Sequence, residues 1–452
     1  MRSVLLPFLA PLLAALACET PFVIQNHGDT AGSAGMLAGN GGELNGGSLN
    51  GGEPSGGSEA GGGVAGVGTA GTQAGAGGEP LAAGAAGAAG NTGDELGECE
   101  HPLAALSIAA GENHACAVES ATGNLYCWGL GSNGQLGNDA TEDANAPVLV
   151  KSNESFSEVQ VGVVTTCALT DKKELFCFGD NSDGVLANGT SQGSALPIRV
   201  LTNVDTFSMS SSYVLATTSQ RDLYAWGGNT DGQLGIGNGT LGEAVRMASA
   251  TGRKARRLAN GYSHACLTDD PSLFVYCAGN NFGARLGIDG GSRAVFTQVL
   301  PEVATKLTAG YDRTCAITAV GMKCWGHNLP VTFEGQPEDI TTPTLVSNYM
   351  DWQYISLGFD HMCATTTFNR VLCAGDNATG ELGRESAASP SFAEPAPPFS
   401  ANFVSAGRDF TCARRASDYQ VVCWGSNANG KLGRGSSDES PGAPALVCLP
   451  PL

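Results

Sequence analysis

The chain is short of positive charge. Its 23 Lys and Arg stand against 43 Asp and Glu, a formal net charge of −20 over 452 residues. Proteins that hold nucleic acid neutralise its phosphates with clustered Lys and Arg. The densest basic run, Arg253, Lys254, Arg256 and Arg257, is short and reads as a solvated strand edge, so no nucleic acid is expected as a partner. Charged residues of both signs are sparse, at 15%. Long apolar runs are missing after the first seventeen residues, and nothing there approaches the roughly eighteen that a membrane-crossing helix requires. Cysteine pairs two to four residues apart are missing too, which argues against tetrahedral zinc. There is no phosphate-cradling loop, paired-carboxylate motif or ordered Ser, His and Asp set. No catalytic residue, metal or cofactor is therefore expected, and the chain reads as a non-enzyme.

What it has in excess is glycine, 65 residues, a bias that suits turn-rich β structure joined to a flexible segment. The first residues read as an export signal. Arg2 supplies positive charge, Val4 to Ala17 form an apolar stretch, and small residues lead into Cys18, the expected order for such a signal. The ending Ala15-Leu16-Ala17-Cys18 resembles the bacterial lipobox, whose Cys is acylated and becomes the mature N-terminus. The family more often has Leu three residues before that Cys. Residues 1–17 are thus expected to be a signal peptide, with Cys18 the lipidation site. From about Gly28 to Gly97 the chain is Gly, Ala and Ser with few branched or aromatic side chains. It cannot bury enough surface to offset its ordering entropy, so residues 18–98 are expected to form a disordered tether. A Gly-rich coil of about seventy residues would have a root-mean-square reach of roughly 45 Å.

From Cys99 to residue 452 the sequence repeats itself. The signature "small-Gly-x-x-His-x-Cys-Ala … Leu-Tyr-Cys-Trp-Gly-x-Asn-x-x-Gly-x-Leu-Gly" occurs seven times, first with Gly111, His114, Cys116, Tyr126, Cys127, Trp128, Gly129, Gly134, Leu136 and Gly137. The first-cysteine position recurs at Cys116, Cys167, Ala216, Cys266, Cys315, Cys363 and Cys412, at intervals of 48 to 51 residues. A period near fifty with short apolar runs and Gly-rich turns predicts one propeller blade per repeat. The fold class expected is all-β, a seven-bladed β-propeller over residues 99–452 with three or four antiparallel strands per blade. Three residues before the first Gly runs a column of Ile108, Val159, Ser208, Leu258, Leu307, Ile355 and Val404, apolar in six copies as an inward-facing strand position requires. Pro147, Pro197 and Pro343 are expected at the starts of edge strands, where a missing donor does no harm.

Fifteen cysteines in an exported chain read as a disulfide framework. Twelve pair within repeats: Cys116 with Cys127, Cys167 with Cys177, Cys266 with Cys277, Cys315 with Cys324, Cys363 with Cys373, and Cys412 with Cys423. Their spacings suit opposite positions on a hairpin. The third copy loses both positions together, to Ala216 and Ala225, as a bond between the two would predict. Cys99 and Cys448 map to neighbouring positions of the repeat from opposite ends of the chain. They are expected to pair and lock the ring.

Trp128-Gly129, Trp226-Gly227 and Trp424-Gly425, each followed by the Gly-rich turn, resemble the repeats of the regulator-of-chromosome-condensation family over about residues 103 to 448. The resemblance implies a seven-bladed propeller. Its founding eukaryotic member is an exchange factor for the GTPase Ran and docks on chromatin, a role that an acidic, lipid-anchored chain does not suit. Bacterial relatives include an inhibitor that clamps a β-lactamase with one propeller face, which implies protein binding as the transferable theme. Departures are plain: Trp becomes Phe178, Ala278 and Ala374, and the fifth copy replaces its turn by Asn328-Leu-Pro-Val-Thr-Phe-Glu-Gly-Gln-Pro.

His114, His264 and His361 share a repeat position that carries Thr165, Val214, Arg313 and Phe410 elsewhere; recurrence in several blades reads as structure. Asp180-Asn-Ser-Asp-Gly and Asn229-Thr-Asp-Gly lack the ligand spacing of calcium loops and read as tight turns. Contact surfaces are sought where blades differ: the fifth-copy loop at Phe333, and the aromatics Tyr349, Trp352 and Tyr354. The expected function is a monomeric scaffold in a bacterial cell envelope, lipid-anchored or secreted, binding a protein or glycan. A polysaccharide lyase or hydrolase acting over the central channel is the alternative.

Overall fold

In the computed structural model the described residues are 96, 99–237, 247–248, 253–328, 336–436, 438 and 443–451. The signal segment, Cys18, the tether apart from Leu96, and Phe333 lie outside them. Seven antiparallel sheets of four strands each follow one another along the chain. Blade 1 comprises Ala105–Ala110, His114–Glu119, Leu125–Gly129 and Ala144–Leu149. The later blades start their first strands at Phe156, Val204, Ala255, Lys306, Trp352 and Ala401. Strand order within each sheet is sequential, so each blade is a meander. The seven first strands line one central channel, and the fourth strands form the outer edge. Pro147, Pro197 and Pro343 lie inside fourth strands rather than at their starts. Edge position excuses the missing donor there as well.

The interior alternates as a half-buried meander should. Each second strand is buried along nearly its whole length, because it faces a neighbouring blade on either side. Six disulfides join second and third strands at directly opposed residues, with Cα–Cα distances of 4.0 to 4.1 Å. Each closes a short loop and by chain entropy alone contributes about 2–3 kcal/mol.

Blade 3 corrects the repeat alignment by one residue. Ala225 faces Leu215, and Tyr213 faces Gly227, as Cys116 faces Cys127 and His114 faces Gly129 in blade 1. Ser210 donates its N–H to the Tyr213 carbonyl at 2.9 Å, the bond that Gly111 makes to His114. The cysteine position is therefore Leu215, not Ala216, and the His position is Tyr213, not Val214. The apolar column then continues through Phe207, 2% exposed, and its single polar exception, Ser208, disappears. The two cysteine positions remain lost together, as Leu215 and Ala225.

Neighbouring blades interlock through tryptophan. Trp226 donates its indole N–H to the Val185 carbonyl at 2.8 Å, and Trp424 donates to Glu381 at 2.7 Å. Each acceptor lies in the Gly-rich turn of the preceding blade. The ring closes by the same contact, Trp128 of blade 1 donating to Lys431 of blade 7 at 2.9 Å. Where the turn ends in glycine, that glycine makes room for the next aromatic: a Cβ on Gly287, at φ +69°, would stand 2.6 Å from Trp325 Cδ1. Blade 5 has lost its turn, and blade 6 has lost the matching tryptophan, to Ala374.

At the seam, Ala105 N–H donates to Tyr419 O at 2.9 Å. This repeats the inter-blade bond from Phe156 to Gly123 at 2.8 Å. Leu103 and Val447 add a further bond at 2.9 Å. The Cys99–Cys448 disulfide joins residues 349 apart in sequence, with Cα–Cα 5.9 Å. Leu96 is buried beside Trp424 and Leu446.

Candidate functional site

The channel holds about 600 Å³ and is lined by all seven first strands. At one mouth the loops between first and second strands converge. Directly after the small residue that ends each first strand, these loops carry Glu112, Val163, Ser211, Tyr262, Tyr311, Phe359 and Arg408. No two neighbours but Tyr262 and Tyr311 are alike, at a position where the scaffold imposes nothing. The backbone holds the loops rigidly. Asn280 N–H donates to Ser263 O, and Ser426 N–H to Asp409 O, each at 2.9 Å, pinning third-strand ends to the loops.

These side chains meet across the channel. Tyr311 donates its phenol proton to Glu112 Oε2 at 2.6 Å, and Arg408 forms an ion pair with the same carboxylate. Tyr262 stacks on Tyr311 with ring centroids 5.4 Å apart. Phe359 packs edge-on to Tyr311 at 4.4 Å, and the Arg408 guanidinium stands 5.1 Å over Phe359. Tyr262 is 52% exposed and Phe282, on a third-to-fourth-strand loop of the same face, is 80% exposed. Arg285 anchors that loop from beneath, donating to Phe282 O at 2.8 Å and pairing with Asp312 at 3.0 Å.

Burial, and then the Glu112 bond, push the Tyr311 phenol far above its ordinary value, so it stays a neutral donor. Around it Glu112 is held by Tyr311 and Arg408, Asp409 by Lys431, and Asp312 by Arg285. Asp360 is raised, first by burial, with Arg313 opposing. Among the described residues no cluster of three or more His, Cys, Asp or Glu could hold a metal. The arrangement offers aromatic and ion-paired contact rather than an unpaired base beside a nucleophile.

The recurrent histidines are cross-braces. His114, His264 and His361 contact Thr166, Thr314 and Thr411 of the next blade through Nε2, at 2.9, 2.9 and 2.8 Å. Each threonine hydroxyl in turn donates to a turn carbonyl: Gln135, Arg285 or Glu381. The hydroxyl proton is thus committed, so the imidazole must donate from Nε2. A Cβ on Gly261 or Gly358 would collide with His264 or His361, which explains the Gly-x-x-His spacing. The Asp- and Asn-rich turns are likewise structural. Asn181 Oδ1 accepts from Leu186 N–H at 2.8 Å, while its amide donates to the Thr190 carbonyl at 2.6 Å. Asn281 and Asn377 repeat the first bond to Leu286 and Leu382 at 2.9 and 2.8 Å.

The aromatics singled out from sequence do not form one patch. Trp352, 6% exposed, packs between Tyr349 and Phe392 at 5.3 and 5.0 Å and belongs to the core. Tyr354 is parted from it by a bulge and lies at the opposite channel mouth, 5.0 Å from Phe403. Phe333 lies outside the described residues. The mouth residues Glu112, Tyr262, Tyr311, Phe359 and Arg408 were not singled out, although their variation beside the recurring glycine was legible. The basic run is neutralised in part: Arg253 pairs with Asp269 at 3.3 Å, Lys254 with Asp222 at 3.2 Å and Arg256 with Asp270 at 3.8 Å.

A profile of the regulator of chromosome condensation (RCC1) repeat matches residues 122–169, and a second profile of that repeat matches residues 106–135 and 403–431. No curated protein matches the chain by sequence. Human WBSCR16 superposes with a TM-score of 0.62 at 18% identity, covering 71% of this chain and 89% of that one. Yeast RCC1 (Prp20), bound to Kap60, gives 0.62 at 17% identity over 78% and 88%. Prp20p from Saccharomyces cerevisiae gives 0.61 at 18% identity over 77% and 87%. Likeness at such identities speaks for the fold.

Proposed function

From a chain that belongs to the RCC1-like repeat family, we propose a non-enzymatic scaffold that binds a protein at the mouth bearing Glu112, Tyr262, Tyr311, Phe359 and Arg408. The observation that carries this reading is the cross-channel aromatic stack, whose outer member Tyr262 is half exposed. Tyrosine and arginine anchors ringed by indifferent scaffold are what protein interfaces use. Yeast RCC1 (Prp20) is found bound to Kap60, and binding of Prp20p to Gsp1p and histones has been studied; partners of this chain need not be theirs. Support for binding over catalysis comes from the pairing of three of the mouth's carboxylates, Glu112, Asp312 and Asp409, with Arg408, Arg285 and Lys431.

The proposal includes an address. Acyl chains on Cys18 would hold the protein to a bacterial envelope membrane, with residues 18–98 as the leash. A palmitate-analogue label incorporated by the wild type should be lost in Cys18→Ser; retained label removes the anchor. The test of binding is capture of envelope and neighbouring-cell surface proteins on the full chain. A protein captured by wild type and lost in Tyr262→Ala/Phe282→Ala supports the mouth as its site. Capture unchanged in that variant removes it.

A further inference from the structure

The opposite mouth has a different chemistry. Beside the channel there, a cavity of about 310 Å³ is lined by Glu158, Arg257, Lys306 and Tyr354 among others, at the lower end of ligand-site sizes. Arg257 and Lys306 hold the same first-strand position in adjacent blades. The other blades place Ser107, Glu158, Thr206, Tyr354 and Phe403 there, so the two cations are a local departure from the repeat. Arg253, Lys254 and Arg256 each have an aspartate partner. Among the described residues none lies within ion-pair range of Arg257 or Lys306. The Arg257 Nε–H is buried and lacks a hydrogen-bond partner, although its backbone N–H donates to Thr268 at 3.1 Å. The Lys306 ammonium stands 4.8 Å over the Tyr354 ring, which orients it without neutralising it.

Two desolvated, adjacent cations repel each other. Burial lowers the pKa of both, with Arg256 adding to the effect at Arg257 and Arg257 at Lys306. Glu158 completes the opposite wall. Its carboxyl is pushed up by burial and accepts from Gln160 Nε2 at 3.0 Å, without forming an ion pair to either cation. In a molecule of net charge −20, this is a pair of positive groups with an unfilled donor and space in front of it.

We propose that Arg257 and Lys306 form an oxyanion-binding site, taking a carboxylate or phosphate group on a ligand no larger than a single sugar. A guanidinium fork and an ammonium in a partly dry cavity are the donors such a group requires. Tyr354, with the Lys306 ammonium over its ring, forms the adjoining wall. The site stands apart from the protein-binding mouth and does not depend on it.

The experiment is calorimetric titration of the full chain at low salt with glucuronate, inorganic phosphate and glucose. Saturable binding of glucuronate or phosphate, with none of glucose, is expected. Glucuronate alone would identify a sugar acid as the source; equal binding of phosphate would identify a free oxyanion. Arg257→Gln and Lys306→Gln should each weaken binding about tenfold or more, while Lys306→Arg keeps it. Lys306 is only partly buried, so its variants should melt with the wild type and remain testable even if Arg257→Gln unfolds. No saturable binding of either anion overturns the proposal. So does undiminished binding in Lys306→Gln.

Discussion

Tyr311 donates to Glu112 at 2.6 Å across the channel mouth, from a residue 199 positions away. A bond of that span exists only when blades 1 and 5 are both in place, so it reports on the assembled ring. Tyr311→Phe removes the donor and leaves Glu112 to Arg408. The expected loss is about 1 kcal/mol, the charge-assisted value discounted for partial exposure, read by denaturant unfolding. Under the binding proposal, Tyr311→Ala should also cut partner capture at least tenfold, through loss of a central aromatic anchor. Ser219→Ala, on a hairpin of the other face, should leave capture unchanged.

His114, His264 and His361 give the fold a pH limit. Burial holds each imidazole at about 3, against an ordinary 6.5. Their folded pKa values are depressed, so the unfolded chain takes up the protons first as pH falls. Stability from the three is complete above pH 6.5 and is lost progressively between 6.5 and about 3. Each contributes a slope of about 1.4 kcal/mol per pH unit below roughly 6.5. Urea midpoints should fall between about pH 6.5 and 5, a window above most carboxylate titration. His264→Gln should flatten that slope by about a third; an unaltered slope would show that its neutral state does not set the limit.

The seven-fold repeat was legible because its signature residues are fixed by contacts that most blades make: glycines under the next ring, asparagines folding the turn, cysteines opposed on a hairpin. Blade 3 slipped by one because it keeps none of the residues that anchor the alignment before its third strand. Ser210, Tyr213 and Leu215 replace Gly, His and Cys, and only the hydrogen-bond register fixes their places. The aromatic trio failed for another reason. A bulge at Gln353 breaks the alternation between Trp352 and Tyr354, which spacing alone could not reveal. The mouth cluster depends on curvature that brings residues about 200 apart face to face, and no local pattern carries that.

The Cys99–Cys448 bond should contribute more than any blade disulfide. Chain entropy for a closed loop of 349 residues gives an upper value of about 5–6 kcal/mol. The seam's hydrogen bonds keep the folded ring together without it, so Cys99→Ser/Cys448→Ser should fold and melt at a lower temperature. Non-reducing peptide mapping should recover Cys99 linked to Cys448. Either cysteine free, or paired with a blade cysteine, would contradict the closure.

Three blades lack the tryptophan that grips the preceding turn; blade 2 keeps a ring there, Phe178, while two carry Ala278 and Ala374. The two alanine blades have phenylalanine, Phe296 and Phe392, at the fourth-strand position where other blades have Pro147, Pro197, Pro343 and Pro444. The strand pairings make these positions equivalent: Cys277 faces Thr297 as Cys127 faces Val148, and Cys373 faces Ala393. Phe296 is 6% exposed and its ring covers Gly235 of the preceding blade, where a Cβ would collide with it. The phenylalanine therefore fills, from the neighbouring strand, the space the indole vacates. Phe296→Ala should cost about 3–5 kcal/mol, the range for emptying a buried aromatic site. Adding Ala278→Trp to that variant should restore more than half of the loss, since the indole would re-enter the position it holds in blades 1, 3 and 7. Calorimetric melting of the wild type and of the single and double variants decides the matter. A double variant no more stable than Phe296→Ala would mean that the two aromatics do not share one space.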